Sequence, residues 1–232
     1  MMKIAVVVLA AGSGSRFGNL TNKVWLPLHG RSIISHSLSN AVKSFPNCRV
    51  VLVVNSADEA IAKDILLREN PDLKVELVRG GDSRHESEYR ALMHLAPEIK
   101  DGNINVVLIH DGARPLATSK LFHEVATAAL VHGGALPGIA VDPREMDITS
   151  DQKIARVQTP QAFRAKELLS AYEQAQSAKF LGTDTAACIE KYFPNIDCVV
   201  VEGEVQNIKI TYAYDLIIAE HLLELSLTAN GS

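Results

Sequence analysis

Six runs rich in Val, Ile and Leu alternate along this chain with six stretches of helical length and pattern. The apolar runs are 3–9, 49–55, 74–79, 104–110, 134–141 and 196–201. The helical stretches are 31–44, 57–68, 84–96, 118–132, 164–176 and 183–192. A strand that is apolar at every position is buried on both faces, and strands separated by helices join as parallel βαβ units. The alternation therefore predicts a three-layer α/β/α fold around a mostly parallel sheet. The 232 residues contain no repeat, linker or low-complexity tract and are read as a single domain, 1–232. The pattern breaks once. Between Gly138 and Thr159 there is no long helical stretch, Asp142–Ile148 is polar and turn-rich, and Lys153–Val157 is strand-like. A projecting β-arm at about 139–158 fits this excursion.

Ligands of open α/β sheets bind at the carboxyl ends of the strands. Three loops should meet at that edge: Ala10–Gly18, Gly80–Arg84 and Asp111–Pro115. Together they supply a glycine-rich nest, arginines and two aspartates, a set suited to phosphate. The first loop has the pattern Gly12-x-Gly14-x-x-x-Gly18 with Arg16 inside it and Lys23 soon after. It is not a dinucleotide fingerprint: Arg16 stands where a small residue is needed, and the second strand run closes on Asn55 rather than an acid. It is not a Walker loop, since Gly-Lys-Ser/Thr is missing. Arg16 and Lys23 suit a polyphosphate, one as a bidentate fork and the other as a point charge. The plainer alternative for Lys23 is a solvated lysine ahead of Val24–Leu28. Asp111 follows an apolar run and could ligate Mg²⁺ beside a triphosphate, while Asp82 could hydrogen-bond a base or sugar. His110 could sit at the edge of the site or be a buried structural group. There is no Gly-x-Ser-x-Gly elbow and no His-x-x-x-His pair.

These parts suit nucleotidyl transfer. Attack by a substrate phosphate on the α-phosphorus of a nucleotide needs alignment and charge neutralisation more than a general base, because the nucleophile is already ionised. A net charge of −4 and an aromatic content of 5% argue against a nucleic-acid footprint. Three widely spaced cysteines, Cys48, Cys188 and Cys198, form no disulfide or zinc pattern. The apolar run at 3–9 is too short to span a bilayer and has no signal-peptide flank, so a cytoplasmic protein without membrane attachment is expected.

Over residues 3–222 the chain resembles the 2-C-methyl-D-erythritol 4-phosphate cytidylyltransferases and the related ribitol-5-phosphate cytidylyltransferases. The pieces that carry the resemblance are Leu9–Arg16, Asn22-Lys23 with Leu26-Pro27-Leu28, Gly80–Ser87, His110–Pro115, Gln158–Phe163, Thr183-Asp184, Val201–Gly203 and Asn207–Thr211. The resemblance implies a three-layer α/β/α nucleotidyltransferase with a Rossmann-like, mostly parallel sheet. It implies a Mg²⁺-dependent enzyme that transfers CMP from CTP to methylerythritol phosphate and releases pyrophosphate. Ribitol 5-phosphate or another polyol or sugar phosphate is the alternative acceptor, and a CTP-binding protein without transfer activity is the alternative of another class. Residues matching Ala10, Ala11, Gly12, Gly14, Gly81, Asp82 and Ser87 would bind the nucleotide. Arg16, Lys23, Asp111 and Lys209 match the catalytic positions, with Asp111 at the metal. Arg114 and Thr159 match positions near the acceptor. The family is a homodimer whose arm reaches toward the neighbouring site.

The chain departs from the family's pattern in several places. Val141-Asp142-Pro143 replaces a Thr-Asp-Thr-like segment, and the arm arginine that grips the acceptor phosphate falls on Asp151. Arg156, assigned here to the acceptor, could compensate, as could Arg144 or Lys153. Glu88 stands where an apolar residue is usual, and Tyr212–Asp215 lacks the proline usual before the terminal helix.

Overall fold

The computed structural model describes residues 2–12, 22–142, 154–182 and 184–230. Its strands are β1 (Ile4–Ala10), β2 (Pro27–Leu28), β3 (Arg31–Ser32), β4 (Arg49–Val54), β5 (Val75–Arg79), β6 (Val106–Asp111), β7 (Gly133–Val141), β8 (Ile154–Val157), β9 (Gln161–Arg164) and β10 (Asp197–Glu202). Its helices are α1 (Ile33–Ser44), α2 (Glu59–Glu69), α3 (Arg84–Lys100), α4 (Ser119–His132), α5 (Ala165–Ser177), α6 (Thr185–Tyr192) and α7 (Ala213–Asn230). The main sheet has the order β10-β7-β9-β6-β1-β4-β5, with β8 paired to β7. It is mostly parallel, as expected; β9 runs antiparallel to both β6 and β7.

β1 is central and wholly apolar because both its faces are covered. Val6 and Val8 pack with Ile34 and Leu38 of α1, Ile65 of α2 and Phe122 of α4. Ala5 and Val7 face Leu92 and Leu95 of α3 and Leu168 and Tyr172 of α5. Those two clusters are the two interfaces of a three-layer structure.

Strand register sets the position of the site. Leu9 of β1 stands beside Asp111 of β6, Ala10 beside Val54 of β4, and Val54 beside Arg79 of β5. Four strands therefore end level with one another, and their following loops share one edge. From β1 the chain steps outward to β4 and β5, then returns to the other side of β1 as β6. The reversal opens a crevice between the loops after β1 and β6.

The expected strands and helices are present with small shifts at their ends. The stretch from 31 becomes helical only at Ile33, because Arg31 and Ser32 pair with Leu28 and Pro27 in a two-stranded ribbon. α3 runs past Pro97 to Lys100. The ring removes the hydrogen bond to the carbonyl of Met93, a residue on the exposed side of the helix. Besides the short β2–β3 ribbon, two elements were not anticipated from periodicity. β9 is only four residues long. α7 carries apolar residues on most of its sides: Leu216, Ala219, Leu222 and Leu223 pack toward Leu28, Ile33 and Ile210, while Ile217, Ile218, Leu225 and Leu227 are exposed. The arm begins as an antiparallel pair, from Gly138 opposite Val157 to Val141 opposite Ile154. Pro143, Arg144, Asp151 and Lys153 lie outside the described residues.

One carboxylate joins α2 to the start of α1. Oε2 of Glu69 accepts from the Ser32 amide at 2.8 Å, the Ser32 hydroxyl at 2.8 Å and the Ser35 hydroxyl at 2.7 Å. Burial opposes its ionisation, but these donors outweigh that and hold its pKa down at about 2. The carboxylate therefore stabilises the fold above the unfolded value near 4.5, and this contribution is lost as pH falls toward 2. We expect Glu69→Gln to cost about 1–3 kcal/mol at pH 7 and almost nothing near pH 2, read as the difference in urea midpoint between variant and parent at the two pH values.

Candidate active site

The crevice encloses a cavity of about 610 Å³ lined by Leu9–Gly12, Asn22–Val24, Asn55, Gly81–Arg84, Ser87, Asp111, Ala113 and Lys209. All three strand-end loops identified from the sequence contribute to it.

The first loop leaves β1 through Ala10, Ala11 and Gly12. Residues 13–21, which include Gly14 and Arg16, lie outside the described residues. Where the chain is described again, Asn22 donates from Nδ2 to the Ala10 carbonyl at 2.7 Å. Its Oδ1 accepts from the Val24 amide at 3.4 Å and so caps the short 3₁₀ turn Lys23–Trp25. This amide side chain ties the turn to the end of β1 and sets Lys23 on the cavity wall.

The second loop owes its shape to close approach. A Cβ on Gly80 would lie 2.5 Å from the Ala11 Cβ, and one on Gly81 would lie 2.2 Å from the Glu86 side chain. Glycine at 80 lets this loop sit against the first, and glycine at 81 leaves room for the Glu86 side chain of α3. The Gly81 amide donates to Ser87 Oγ at 3.1 Å and the Asp82 amide to Glu86 Oε2 at 3.0 Å. Ser83 caps α3 by accepting from the Glu86 amide at 3.0 Å. Ser87 is thus a buried support for the backbone around Gly81, while Asp82 is exposed at the cavity edge.

Asp111 is the electrostatic centre. Its Oδ1 accepts from Arg84 Nη1 at 2.5 Å, its Oδ2 stands 2.8 Å from Lys209 Nζ, and Arg114 Nε lies 3.7 Å from Oδ2. Burial by itself would raise the carboxyl pKa. The charges of Arg84, Lys209 and Arg114 outweigh burial and hold it well below the usual carboxylate range, so Asp111 is ionised at any physiological pH. Lys209 reaches it because the 207–210 segment is tied to the loop after β6: Ile210 donates to the Ala113 carbonyl at 2.9 Å, and Arg114 Nη1 to the Asn207 carbonyl at 2.6 Å.

Thr159 acts on the far side of Asp111 from the cavity lining. Its Oγ1 accepts from the Asp111 amide at 2.9 Å and lies 3.2 Å from His110 Nδ1. Burial lowers the His110 pKa to about 4, which makes it a neutral structural partner; its Nε2 lies 3.1 Å from the Arg114 carbonyl. Arg114 stands beside Asp111 but, like Thr159, is not part of the cavity lining. Arg156 is an exposed residue of β8 opposite Ile139 and is also outside the lining. The structure therefore gathers Ala10, Ala11, Gly12, Lys23, Gly81, Asp82, Ser87, Asp111 and Lys209 into one cavity. Arg114 and Thr159 lie directly behind it, and Arg156 stands apart.

Arg84 had no assigned role in the sequence. The one available signal was an arginine opening a helix just after a Gly-Gly-Asp turn at a strand end. Asn22 likewise read only as a neighbour of Lys23.

Among the described residues no group of three His, Cys, Asp or Glu side chains could hold a metal alone. Magnesium beside a nucleotide takes one or two carboxylates and draws its other ligands from phosphates and water. Asp111 and Asp82, the two carboxylates of the lining, fit that mode. No helix among the described residues is long and apolar enough to cross a membrane.

Residues 4–225 match the family described as IspD, 2-C-methyl-D-erythritol 4-phosphate cytidylyltransferase. A protein of that name from Geobacillus kaustophilus is 36% identical, with 96% of this chain and 97% of the relative covered. Another, from Bacillus mycoides, is 32% identical over 95% and 97%. Among solved structures, 4-diphosphocytidyl-2C-methyl-D-erythritol synthase from Anaerococcus prevotii superposes with a TM-score of 0.77 at 27% identity, covering 96% of each chain. The 2-C-methyl-D-erythritol 4-phosphate cytidylyltransferase from Thermus thermophilus gives a TM-score of 0.68 at 25% identity, covering 95% of this chain and 98% of its own.

Proposed function

Because this chain belongs to the 2-C-methyl-D-erythritol 4-phosphate cytidylyltransferase family, we infer that it transfers CMP from CTP to 2-C-methyl-D-erythritol 4-phosphate and releases pyrophosphate. The observation that carries this reading is the ionised Asp111, fixed by three cations at one end of a cavity that has Lys23 and a close-approach glycine loop on its other walls.

In this account Gly12, Gly81 and the neighbouring backbone receive the nucleotide, with Asp82 and the Gly81 backbone, held in place by Ser87, beside the base. Lys23, together with Arg16, neutralises charge that builds on the triphosphate as the acceptor phosphate attacks the α-phosphorus. Lys209 holds the acceptor phosphate near Asp111, Arg114 adds positive charge from behind the cavity wall, and Thr159 keeps the Asp111 backbone in place. Arg156 stands apart from its own chain's cavity and would supply a cation toward the acceptor only in the neighbouring site of the proposed dimer. Mg²⁺ is the proposed cofactor, with Asp111 as its protein ligand; it would add positive charge beside the phosphate oxygens. No residue is required as a general base, since the acceptor phosphate is ionised at neutral pH.

The reading extends to a cytoplasmic homodimer joined through the arm, with no nucleic-acid or membrane partner. Support for an interface comes from exposed apolar side chains on β8, on the loop after β10 and on α7: Val157, Val205, Ile217 and Leu227. Light scattering coupled to size-exclusion chromatography should give twice the chain mass; the mass of one chain would remove the dimer.

Pyrophosphate release measured with CTP, ATP, GTP and UTP against methylerythritol phosphate and ribitol 5-phosphate tests the substrates. The expected result is turnover with CTP and methylerythritol phosphate, abolished by EDTA and restored by Mg²⁺. Preference for ribitol 5-phosphate would reassign the acceptor, and turnover unaffected by EDTA would remove the metal.

A further inference from the structure

Glu88 is a buried carboxylate on the core side of α3, in a position that packing alone would give to an apolar residue. An unpartnered carboxylate there would be strongly destabilising, and this one is fully engaged. Its Oε1 accepts from the Thr185 hydroxyl of α6 at 2.9 Å and stands 2.8 Å from Arg84 Nε. Its Oε2 accepts from the Tyr172 hydroxyl of α5. Arg84, one turn earlier on α3, uses Nη1 to hold Asp111 Oδ1. The guanidinium is thus held by charge, without a hydrogen bond at Nε, beside a carboxylate that two other helices fix in place, and it presents Nη1 to the reaction centre.

We propose that Glu88 is a positioning residue of the transfer reaction: clamped by Tyr172 and Thr185, it holds the Arg84 guanidinium in place by charge and, through it, sets the orientation of the Asp111 carboxylate. Without the clamp, Arg84 is free to rotate about its long side chain. Only Lys209 and the more distant Arg114 would then orient Asp111, and Lys209 is itself partly exposed. Such transmission is possible because one rigid guanidinium carries both contacts, the charge pair with Glu88 and the hydrogen bond to Asp111. The relay belongs to the proposed transferase site and rests on that reading. It assigns to three helices behind the sheet a part in placing a carboxylate at its edge.

Steady-state kinetics of Glu88→Gln provide the test, with methylerythritol phosphate and CTP as substrates. The expected result is a kcat about tenfold lower, with the KM for CTP unchanged. In an Arg84→Gln background the same substitution should cause no further loss, since its effect passes through Arg84. A residue that only supports the fold would lower stability without this split or this coupling. A wild-type kcat in Glu88→Gln, or a full additional loss in the Arg84→Gln background, overturns the proposal. A second variant guards against misfolding and needs no activity. Glu88→Leu combined with Tyr172→Phe removes both members of a buried polar pair, a change that cores tolerate better than the loss of one. Its crystal structure should show Arg84 displaced from Asp111; an unmoved Arg84 overturns the proposal. If the parent protein turns over neither acceptor, the function assigned above fails, while the crystal structure still decides the role of Glu88.

Discussion

Lys23→Ala should lower kcat by about 10²–10³-fold while leaving the circular dichroism spectrum and the denaturation midpoint unchanged. Removing one preorganised charge or donor from a transition state costs about this much in other acyl- and phosphoryl-transfer sites. Lys23 is well placed for such a role and poorly placed for a structural one. The Asn22 side chain fixes its turn through the Ala10 carbonyl and the Val24 amide. Val24 and Trp25, the next two residues, are buried and anchor the turn. The single tryptophan of the chain, Trp25, gives a fluorescence signal next to the site. CTP binding to the variant can therefore be followed separately from turnover. The expected pattern is a large fall in kcat with a smaller change in CTP affinity. Near-parental turnover would remove Lys23 from the chemistry.

Asp111→Asn should damage both activity and stability. Turnover should drop by about 10³-fold, since the substitution removes the carboxylate proposed to ligate the metal and to organise the cations around the acceptor. Stability should fall by about 2–3 kcal/mol. Breaking a fully buried ion pair typically costs about 3–5 kcal/mol. The partners here are less enclosed, with side-chain exposures of 32% for Arg84 and 39% for Lys209, and solvent screens part of the loss. The amide can still accept a hydrogen bond from Arg84, which keeps Glu88 as a counter-charge, but Lys209 and Arg114 lose theirs. Urea denaturation and a pyrophosphate assay read the two effects independently. An unchanged denaturation midpoint would mean that solvent, rather than Asp111, neutralises those cations.

The elements legible in the sequence were those governed by a simple pattern. β1, β4 and β6 are buried on both faces, so their apolar runs named them. The Gly80-Gly81 turn was visible because only glycine permits the approach of 2.5 Å that a Cβ on Gly80 would make to Ala11. β9 was missed because a four-residue strand next to Thr159-Pro160 has no periodicity to detect. α7 was expected only through the resemblance, because its apolar residues surround the helix, one side packing on Ile210 and another exposed. Lys23 and Asp111 were accessible as charged residues at strand ends. Lys209 was identified only through resemblance, since nothing local in Asn207–Thr211 says that Ile210 will bond to the Ala113 carbonyl and carry the lysine to Asp111. Arg84 and Glu88 were harder still. Their meaning depends on Tyr172 and Thr185, residues 84 and 97 positions away from Glu88 in the chain.

The most direct test of the central claim follows the atoms of the acceptor. Methylerythritol phosphate carrying ¹⁸O in its phosphate is incubated with CTP, Mg²⁺ and the protein, and the products are read by ³¹P NMR and mass spectrometry. If the acceptor phosphate attacks the α-phosphorus of CTP, all the label appears in a cytidine diphosphate conjugate of the polyol and none in the released pyrophosphate. Label in the pyrophosphate, or CTP that binds and is recovered intact with this acceptor, would contradict the account.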